Sequence, residues 1–534
     1  MAEYEAVDLD PKDREVVIRI LDEHVPGCEV RAYGSRVKWR ARQHSDLDMA
    51  VKDTASVGLF ALANLRAAFE ESDLPFHVDV MDWEKIPENF RKEILSKSVV
   101  LQKAGPGRDW SSRRLDECAY IVTDKVDPTT CNNLPYIGLE HIGEDSLQLR
   151  GIGDASEVSS TKTRFSPGDV LFGKLRPYFR KVVQPNFTGI CSTDIWVARP
   201  LDAVSQEYLF YLMASSDFVD FASAGSEGTR MPRAKWDHVA RYSTRVPSLA
   251  AQRQITSVLK ALDERIELSR RMCATLEAMA STLFRAWFVD FEPVRAKMEG
   301  RWRKGESLPG LPACSYGFFP DNFVDSELGP IPSSWRTCGL GEVADHLRET
   351  VDPSRLPAQE YALYSIPAFD AGRIPEIALG RVILSNKCIV HPGTVLLSRL
   401  NPDIERVWLI DTEIAEPAIA STEFAVLRPK SPIDAAFLYC SLRSDRYRNA
   451  LVGLVTGTSK SHQRVRPQAL AATTLLIPDE RVLAEFSRVA SEWLGQVLML
   501  RSASQSLIMI RDTLLPKLIS GEVRLPNLTE VTEC

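Results

Sequence analysis

Three acidic residues near the N-terminus have the types and spacing of a metal-binding carboxylate site. Asp46 and Asp48 are one residue apart, and Asp79 lies in a later strand-like run, residues 76–83. Residues two apart on a β-strand face the same side, so Asp46 and Asp48 would lie side by side. Neighbouring carboxylates repel unless a hard cation such as Mg²⁺ lies between them. We predict that all three hold the metal and act in catalysis.

A short turn precedes the first two aspartates. Gly34 and Ser35 offer backbone N–H groups and a hydroxyl, which are typical phosphate ligands, and Arg36 follows them directly. Further positive charge comes from Lys38, Arg40 and Arg42. These are the components of metal-assisted nucleotidyl transfer. We therefore predict nucleotide binding at Gly34, Ser35 and Arg36.

The ordered set of Gly-Ser, Asp-x-Asp and a later strand Asp resembles the minimal nucleotidyltransferase domain of the polymerase β superfamily, over about residues 10–103. The resemblance implies an α/β fold that uses Mg²⁺ and a nucleoside triphosphate, with ATP as the expected donor. The alternative is an inactive fold that has been kept as a docking module.

The rest of the chain contains a repeat about 225 residues long. Trp110-x4-Leu115 returns as Trp335-x4-Leu340, and PGDVLFGKLRP at 167–177 returns as PGTVLLSRLNP at 392–402. Each repeat has short β-like runs, then a helix-like stretch, a Gly/Ser/Thr/basic loop and a long helix. The helix-like stretches are residues 207–221 and 435–452, and the loops are residues 225–235 and 456–466.

Both long helices have apolar residues in alternating steps of four and three, which predicts a coiled-coil seam. The alternative is two ordinary amphipathic helices, each packed on its own domain. The first seam is Ile255, Leu259, Leu262, Ile266, Ser269, Cys273, Leu276, Ala280, Leu283 and Trp287. The second is Phe486, Ala490, Trp493, Val497, Leu500, Ser504, Leu507, Arg511 and Leu514.

This arrangement resembles the specificity subunit of type I restriction–modification systems, over about residues 110–525. The resemblance implies two tandem target-recognition domains that read a split site in double-stranded DNA without a cofactor. Two antiparallel helices would form the coiled-coil spacer. Methyltransferase subunits would dock on the assembly and bring in the restriction subunit. The chain has no Asn/Asp-Pro-Pro-Tyr/Phe methyltransferase motif and no GxxxxGK[ST] motif, so no such chemistry of its own is expected.

The two basic loops are the best candidates for contacts with DNA, because Arg, Lys, Asn and Gln are the side chains that most often read bases and phosphates. The alternative is a solvated basic surface loop. The predicted DNA-binding residues are Arg176, Arg230, Arg233, Lys235, Lys460, His462, Gln463 and Arg464.

The expected fold is therefore a multidomain α+β chain. Its predicted parts are the nucleotidyltransferase-like domain at 1–104, recognition domain 1 at 105–247, a spacer helix at 248–290, a linker at 291–334, recognition domain 2 at 335–478, a second spacer helix at 479–521 and a tail at 522–534.

The composition places this chain among ordinary globular proteins, with 44% hydrophobic and 26% charged residues. No apolar run suits a membrane span, and the acidic start is unlike a signal peptide, so we expect a cytoplasmic protein with no membrane partner. The net charge is −7, of which −5 lies in residues 1–104. A histone-like polycation is excluded, whereas a DNA reader with local basic loops is not.

A rival interpretation is an enzyme. The N-terminal domain would then adenylylate a protein or a nucleic acid, and the remaining chain would only deliver it, as in a defence or toxin–antitoxin system.

Overall fold

The computed structural model describes residues 7–25, 27–37, 45–52, 61–102, 110–130, 133–228, 230–411, 417–455, 463–523 and 525. The chain divides into two compact units. The first is Met1–Ala261 with Ile510–Cys534, and the second is Leu262–Met509. Each unit contains one repeat and parts of both long helices, which span Leu249–Phe288 and Glu480–Ser520.

The N-terminal domain is a four-stranded sheet with helices. Its elements are α1 (Pro11–His24), β1 (Val30–Tyr33), β2 (Leu47–Val51), α2 (Ala61–Glu70), β3 (Val78–Asp82), α3 (Glu88–Ser96) and β4 (Val99–Gln102). The strand order is β3-β2-β1-β4, in which β2 and β3 are parallel and the other pairs are antiparallel. Alternate residues of β2 and β3 point into the core, so the residues between them are free to form a site on the other face.

The first repeat contains two larger sheets and one strand pair. In sheet order, the five-stranded sheet is Lys125–Val126, Lys162–Phe165, Gly189–Cys191, Pro135–Ile137 and Gly153–Asp154. The four-stranded sheet is Val182–Val183, Val170–Gly173, Ile195–Pro200 and Ala119–Ile121. Ser111–Arg114 pairs with Ser243–Val246, and the helices are Gln206–Ala214, Ser216–Ala224 and Trp236–Val239.

The second repeat has the same strand order. Its five-stranded sheet is Thr350–Val351, Lys387–Ile389, Ala418–Ala420, Glu360–Tyr364 and Glu376–Leu379. Its four-stranded sheet is Val407–Leu409, Val395–Ser398, Phe424–Pro429 and Ala344–Leu347. Arg336–Gly339 pairs with Thr474–Ile477, and the helices are Leu340–Val343, Ile366–Asp370, Ala435–Arg443, Asp445–Gly453 and Pro467–Ala471. The expected multidomain α+β architecture with two long helices is confirmed.

Each helix-like stretch inside the repeats is two helices rather than one. Ser215 ends the first helix of its pair and accepts a hydrogen bond from the Phe218 backbone N–H, which starts the next helix. Ser444 does the same for the Tyr447 backbone N–H. A serine side chain satisfies the unpaired N–H groups of a helix start and so favours a break at these positions.

The segment expected to be a linker, residues 291–334, is folded. It contains the helix Glu292–Met298 and a strand pair, Phe323–Val324 with Ile331–Pro332. Trp302 is 1% exposed and lies in the apolar cluster of the second unit. Aromatic burial of this kind stabilises the segment by several kcal/mol, roughly 2–3 for each large side chain, so it is an ordered part of that unit.

The apolar cores draw on the ends of both long helices. In the first unit, Leu515 and Leu518 of the second long helix share a cluster with Tyr208 and Ile255. In the second unit, Phe284 of the first long helix packs on Phe437 and Phe486, with ring centroids 5.7 and 5.8 Å apart. Each recognition-domain core is therefore completed by the helix of the other repeat.

The two long helices run antiparallel within the second unit. The Cys273 thiol lies 3.6 Å from the Val497 carbonyl oxygen, and the Ser504 hydroxyl lies 3.5 Å from the Ile266 carbonyl oxygen. Cys273 follows Ile266 along the first helix, whereas its partner Val497 precedes Ser504 along the second, so the two helices are antiparallel. All four residues belong to the predicted seams.

A buried charge cluster joins the first long helix to the second repeat and to the second long helix. The Oε1 atom of Glu277 lies 2.8 Å from Arg373, 2.9 Å from Arg501 and 3.5 Å from Arg443, and it accepts a hydrogen bond from the Tyr439 hydroxyl at 2.7 Å. Burial alone would raise the pKa of Glu277. The three arginines and the hydroxyl outweigh burial and lower the pKa to about 2.

Replacing this carboxylate should destabilise the second unit. Glu277→Gln leaves three guanidinium groups around a neutral amide, and we expect a loss of about 3 kcal/mol in the free energy of unfolding at neutral pH. Because the folded-state pKa is lowered, the carboxylate stabilises above the ordinary pKa near 4.5, and this effect fades as the pH falls toward 2. Denaturant unfolding of the wild type and of Glu277→Gln, at neutral pH and at a pH near 2, measures the difference in the free energy of unfolding.

The matched control is Glu267→Gln, on the same helix, which removes only an exposed pair with Arg271. It should lose less than about 0.5 kcal/mol. Equal losses for the two variants at neutral pH would contradict a stabilising role of the cluster.

No helix in the described part of the chain is both long enough and apolar enough to span a membrane. The eight cysteines described by the structure are free thiols.

Candidate functional sites

The sheet of the N-terminal domain places the predicted carboxylates at the same end of two neighbouring strands, β2 and β3. Asp48 on β2 is in register with Asp79 on β3, its parallel neighbour. Asp46 lies two residues before Asp48, directly ahead of the strand. Asp48 is half-buried, whereas Asp46 and Asp79 are exposed. The structure therefore brings together three residues that were predicted to act together.

The electrostatics at this end of the two strands are strongly negative. Burial raises the pKa of Asp48, and the charges of Asp79 and Asp46 raise it further. Burial also raises the pKa of Tyr33, on the neighbouring strand β1, to about 12, with Asp48 and Asp79 adding to the effect. Carboxylates that are close enough to raise the pKa of Asp48 are poised to attract a cation.

The donor set suits a hard divalent cation in its chemistry. Carboxylate oxygens are the ligands that Mg²⁺ prefers, and a cation would relieve the repulsion at Asp48. Within the described residues, no group of three or more His, Cys, Asp or Glu side chains is already arranged around one metal position. The three carboxylates therefore fit a divalent cation in their charge and in their ligand type.

Gly34 is needed at its position for two reasons. Its φ of +86° lies in the left-handed region, and a Cβ atom there would come 2.1 Å from the Asp48 Oδ2 atom. Any larger residue would therefore displace the carboxylate. Ser35 follows in the same turn and is half-buried.

Arg36 is buried beneath this turn. Its guanidinium donates to the backbone carbonyls of Ser45 at 2.9 Å and Asp8 at 2.8 Å, and it lies 4.0 Å from the Phe76 ring centre. Its side chain is 5% exposed. This placement favours a role in holding the segments around the site over direct contact with phosphate.

Both recognition repeats hold the basic loop with the same ion pair. Arg233 donates from Nε and Nη2 to the Asp194 carboxylate at 2.9 and 3.2 Å. Arg464 donates in the same way to Glu423 at 3.0 and 2.6 Å. A two-bond pair of this kind fixes geometry as well as charge. These ion pairs hold Arg233 and Arg464 in place, and any contact between these arginines and DNA stays a prediction.

The remaining predicted DNA-binding residues differ in their exposure and in the contacts they make. Lys235 lies 2.6 Å from Glu227. Arg230 is exposed, and its backbone carbonyl accepts a 3.3 Å hydrogen bond from Arg176. The Gln463 carbonyl accepts a 2.8 Å hydrogen bond from the Asn401 backbone N–H. Lys460 and His462 lie outside the described residues.

The acidic partners Asp194 and Glu423 are functional positions that the sequence reasoning missed. A signal was available, because each directly follows the repeated Ser-Thr pairs at 192–193 and 421–422. A carboxylate and a basic loop that recur together in both repeats indicate an ion pair between them.

The N-terminal region matches the family model described as polymerase beta, nucleotidyltransferase, over residues 16–104. Over 103 residues the chain is 39% identical to the probable protein adenylyltransferase MntA of Haemophilus influenzae, covering 19% of this chain and 90% of that protein. Over 464 residues it is 21% identical to the type I restriction enzyme HindI specificity subunit of the same species, covering 78% of this chain and 100% of that protein.

Type I specificity-subunit homologues thus cover most of this chain, and its N-terminal region is a polymerase β nucleotidyltransferase domain. The specificity-subunit portion is also 24% identical over 346 residues to the MjaIX specificity subunit of Methanocaldococcus jannaschii, covering 62% of this chain and 72% of that protein. A solved S subunit from M. genitalium has 13% identity and a TM-score of 0.45, covering 77% of this chain and 96% of that chain.

Neutralising one carboxylate should stabilise the nucleotidyltransferase domain when no divalent cation is present. Asp48→Asn removes the repulsion from Asp79 and Asp46, and we expect a gain on the order of 0.5–1 kcal/mol. Hydrogen exchange of β2 and β3 in the full chain reports this local stability.

Adding Mg²⁺ or Mn²⁺ should slow exchange in the wild type and have little effect on Asp48→Asn. Asp73→Asn, at an exposed carboxylate of the same domain, is the control and should respond to the cation like the wild type. Equal cation responses of wild type and Asp48→Asn would count against a metal site at Asp48.

Proposed function

We propose that this chain reads a split double-stranded DNA target, with one half-site per recognition repeat. The observation that carries this proposal is the duplicated strand order, with each repeat followed by a long helix. The helices have 40 and 41 residues, which corresponds to about 60 Å. That length suits a spacer between two modules on successive major grooves, about 34 Å apart.

The helix pair acts as an antiparallel coiled-coil spacer in this proposal. Methyltransferase subunits dock on the assembly, and the restriction subunit joins through them. Support comes from the relatives, which are specificity subunits of type I restriction enzymes. The chain itself has no methyltransferase motif, so the chemistry would belong to its partners.

Bases and phosphates are contacted by Arg176 and Arg230 in the first repeat, and by Lys460, His462 and Gln463 in the second. Arg233, Lys235 and Arg464 are held by their acidic partners and add positive charge near the DNA backbone.

A footprint on DNA tests the bipartite reading. The full chain with its methyltransferase partner should protect two short half-sites and leave a spacer whose sequence can be changed freely. Arg230→Ala should weaken one half-site by about 1–3 kcal/mol if the residue reads a base, and leave the other unchanged. Arg285→Ala, an exposed pair with Asp290 outside the loops, is the control. One continuous protected site would contradict the proposal.

A second function belongs to the nucleotidyltransferase domain. We propose that it transfers AMP from ATP to a protein or nucleic-acid hydroxyl, which forms a bond to the α-phosphorus while the bond to the β-phosphate breaks and pyrophosphate leaves. The identity to an adenylyltransferase supports this proposal. Asp46, Asp48 and Asp79 would hold Mg²⁺, which supplies charge neutralisation for the phosphates and activates the attacking hydroxyl. The Gly34–Ser35 turn would bind the phosphates through its backbone N–H groups.

Transfer of label from ATP tests this activity. The full chain with Mg²⁺ and labelled ATP should label an acceptor in the assembled complex, whereas the Asp46→Asn/Asp48→Asn double variant should lose most of the rate, because it removes two of the three proposed metal ligands. Asp73→Asn should keep the wild-type rate. No label transfer by the wild type, equal to the double variant, would leave this domain only a docking role. Equal positive labelling by the two would contradict the role of Asp46 and Asp48.

A further inference from the structure

The two recognition repeats share a lysine that the proposed function has not used. Lys162 begins the second strand of the first five-stranded sheet and lies in register with Val126. Lys387 begins the equivalent strand of the second repeat and lies in register with Val351. The two lysines therefore hold the same place in both folds.

The local geometry of the two lysines is also the same. The Lys162 ammonium donates to the backbone carbonyl of Ser160 at 2.7 Å and to its hydroxyl at 2.6 Å. The Lys387 ammonium donates to the carbonyl and hydroxyl of Ser385 at 3.1 and 2.5 Å. Both serines are exposed. The repeated unit is a Ser-x-Lys motif, in which Lys162 is buried and Lys387 is half-buried.

No carboxylate faces these ammonium groups among the described residues, although Arg233, Lys235 and Arg464 all have acidic partners. Lys162 is only 5% exposed. Burial lowers the pKa of Lys162 and of Lys387. A shielded positive charge without a counter-charge is destabilising in the free protein, so its presence in both repeats indicates an anion that is supplied from outside.

We propose that Ser160 with Lys162, and Ser385 with Lys387, each bind a backbone phosphate of the DNA. This inference rests on the proposed DNA-reading function. The two repeats differ in the loops that would read different bases, yet they share this motif. A contact common to two readers of different sequence fits the phosphate backbone, which is the same at every site. An ammonium group with an adjacent hydroxyl is a typical phosphate ligand set.

The test replaces each lysine with methionine, which keeps the length and removes the charge. DNA affinity of the full chain with its methyltransferase partner is measured against salt concentration, for the target and for unrelated DNA. Each variant should bind both DNAs about tenfold more weakly. The slope of log affinity against log salt should become shallower by about one per lysine, and by about two in the double variant.

Stability separates a ligand site from a structural role. Lys162→Met and Lys387→Met should unfold at the same or higher denaturant concentration than the wild type, because each removes a charge, buried at Lys162 and half-buried at Lys387, that has no carboxylate partner among the described residues. Lys430→Met is the control, since Lys430 pairs with Asp345 in the second repeat and should leave the salt slope unchanged.

Three results would overturn the inference. The variants could keep the wild-type salt slope, they could weaken only the target DNA, or their loss of affinity could follow a loss of stability. In each case the wild type still binds DNA, so the proposed function stands. If the wild type binds no DNA, both the proposed function and this site are wrong.

Discussion

The structure depends on the burial of each long helix's final turns in the core of the other repeat. In the first unit, Leu515 and Leu518 lie among the apolar side chains of the first repeat. In the second unit, Phe284 and Trp287 lie among those of the second repeat. Neither recognition core is complete without the helix of its counterpart. The repeats therefore fold as interdependent parts, although their sheets are built from separate stretches of sequence.

Charge compensation distinguishes the structural groups from the candidate sites. Glu277 has three arginines around it, and Arg233 and Arg464 each have a carboxylate, so these groups hold the fold. Asp48 faces other carboxylates, and its pKa is raised. Uncompensated charge is destabilising in the free protein, which is why it is informative about ligands. Because these charges lack a compensating partner, we infer a bound cation at Asp48 and bound phosphates at the Ser-x-Lys motifs.

Sequence reasoning worked best where the information is local. The 4-3 spacing of apolar residues predicted two long helices, which extend over Leu249–Phe288 and Glu480–Ser520. The Asp-x-Asp spacing predicted two carboxylates side by side, and both lie at one end of a strand. It worked less well where partners are distant along the chain. Glu423 and Arg464 are 41 residues apart, and no local pattern joins them. The breaks at Ser215 and Ser444 were missed because each lies inside a stretch that was interpreted as one helix, while the serine side chains start new helices.

The central claim is that two duplicated modules read two separated half-sites. Selection from a random double-stranded DNA library by the full chain with its methyltransferase partner tests this claim most directly. The account predicts recovered sequences with two short conserved blocks at one fixed separation and random bases between them. A single uninterrupted block, or two blocks at freely varying separations, would contradict it.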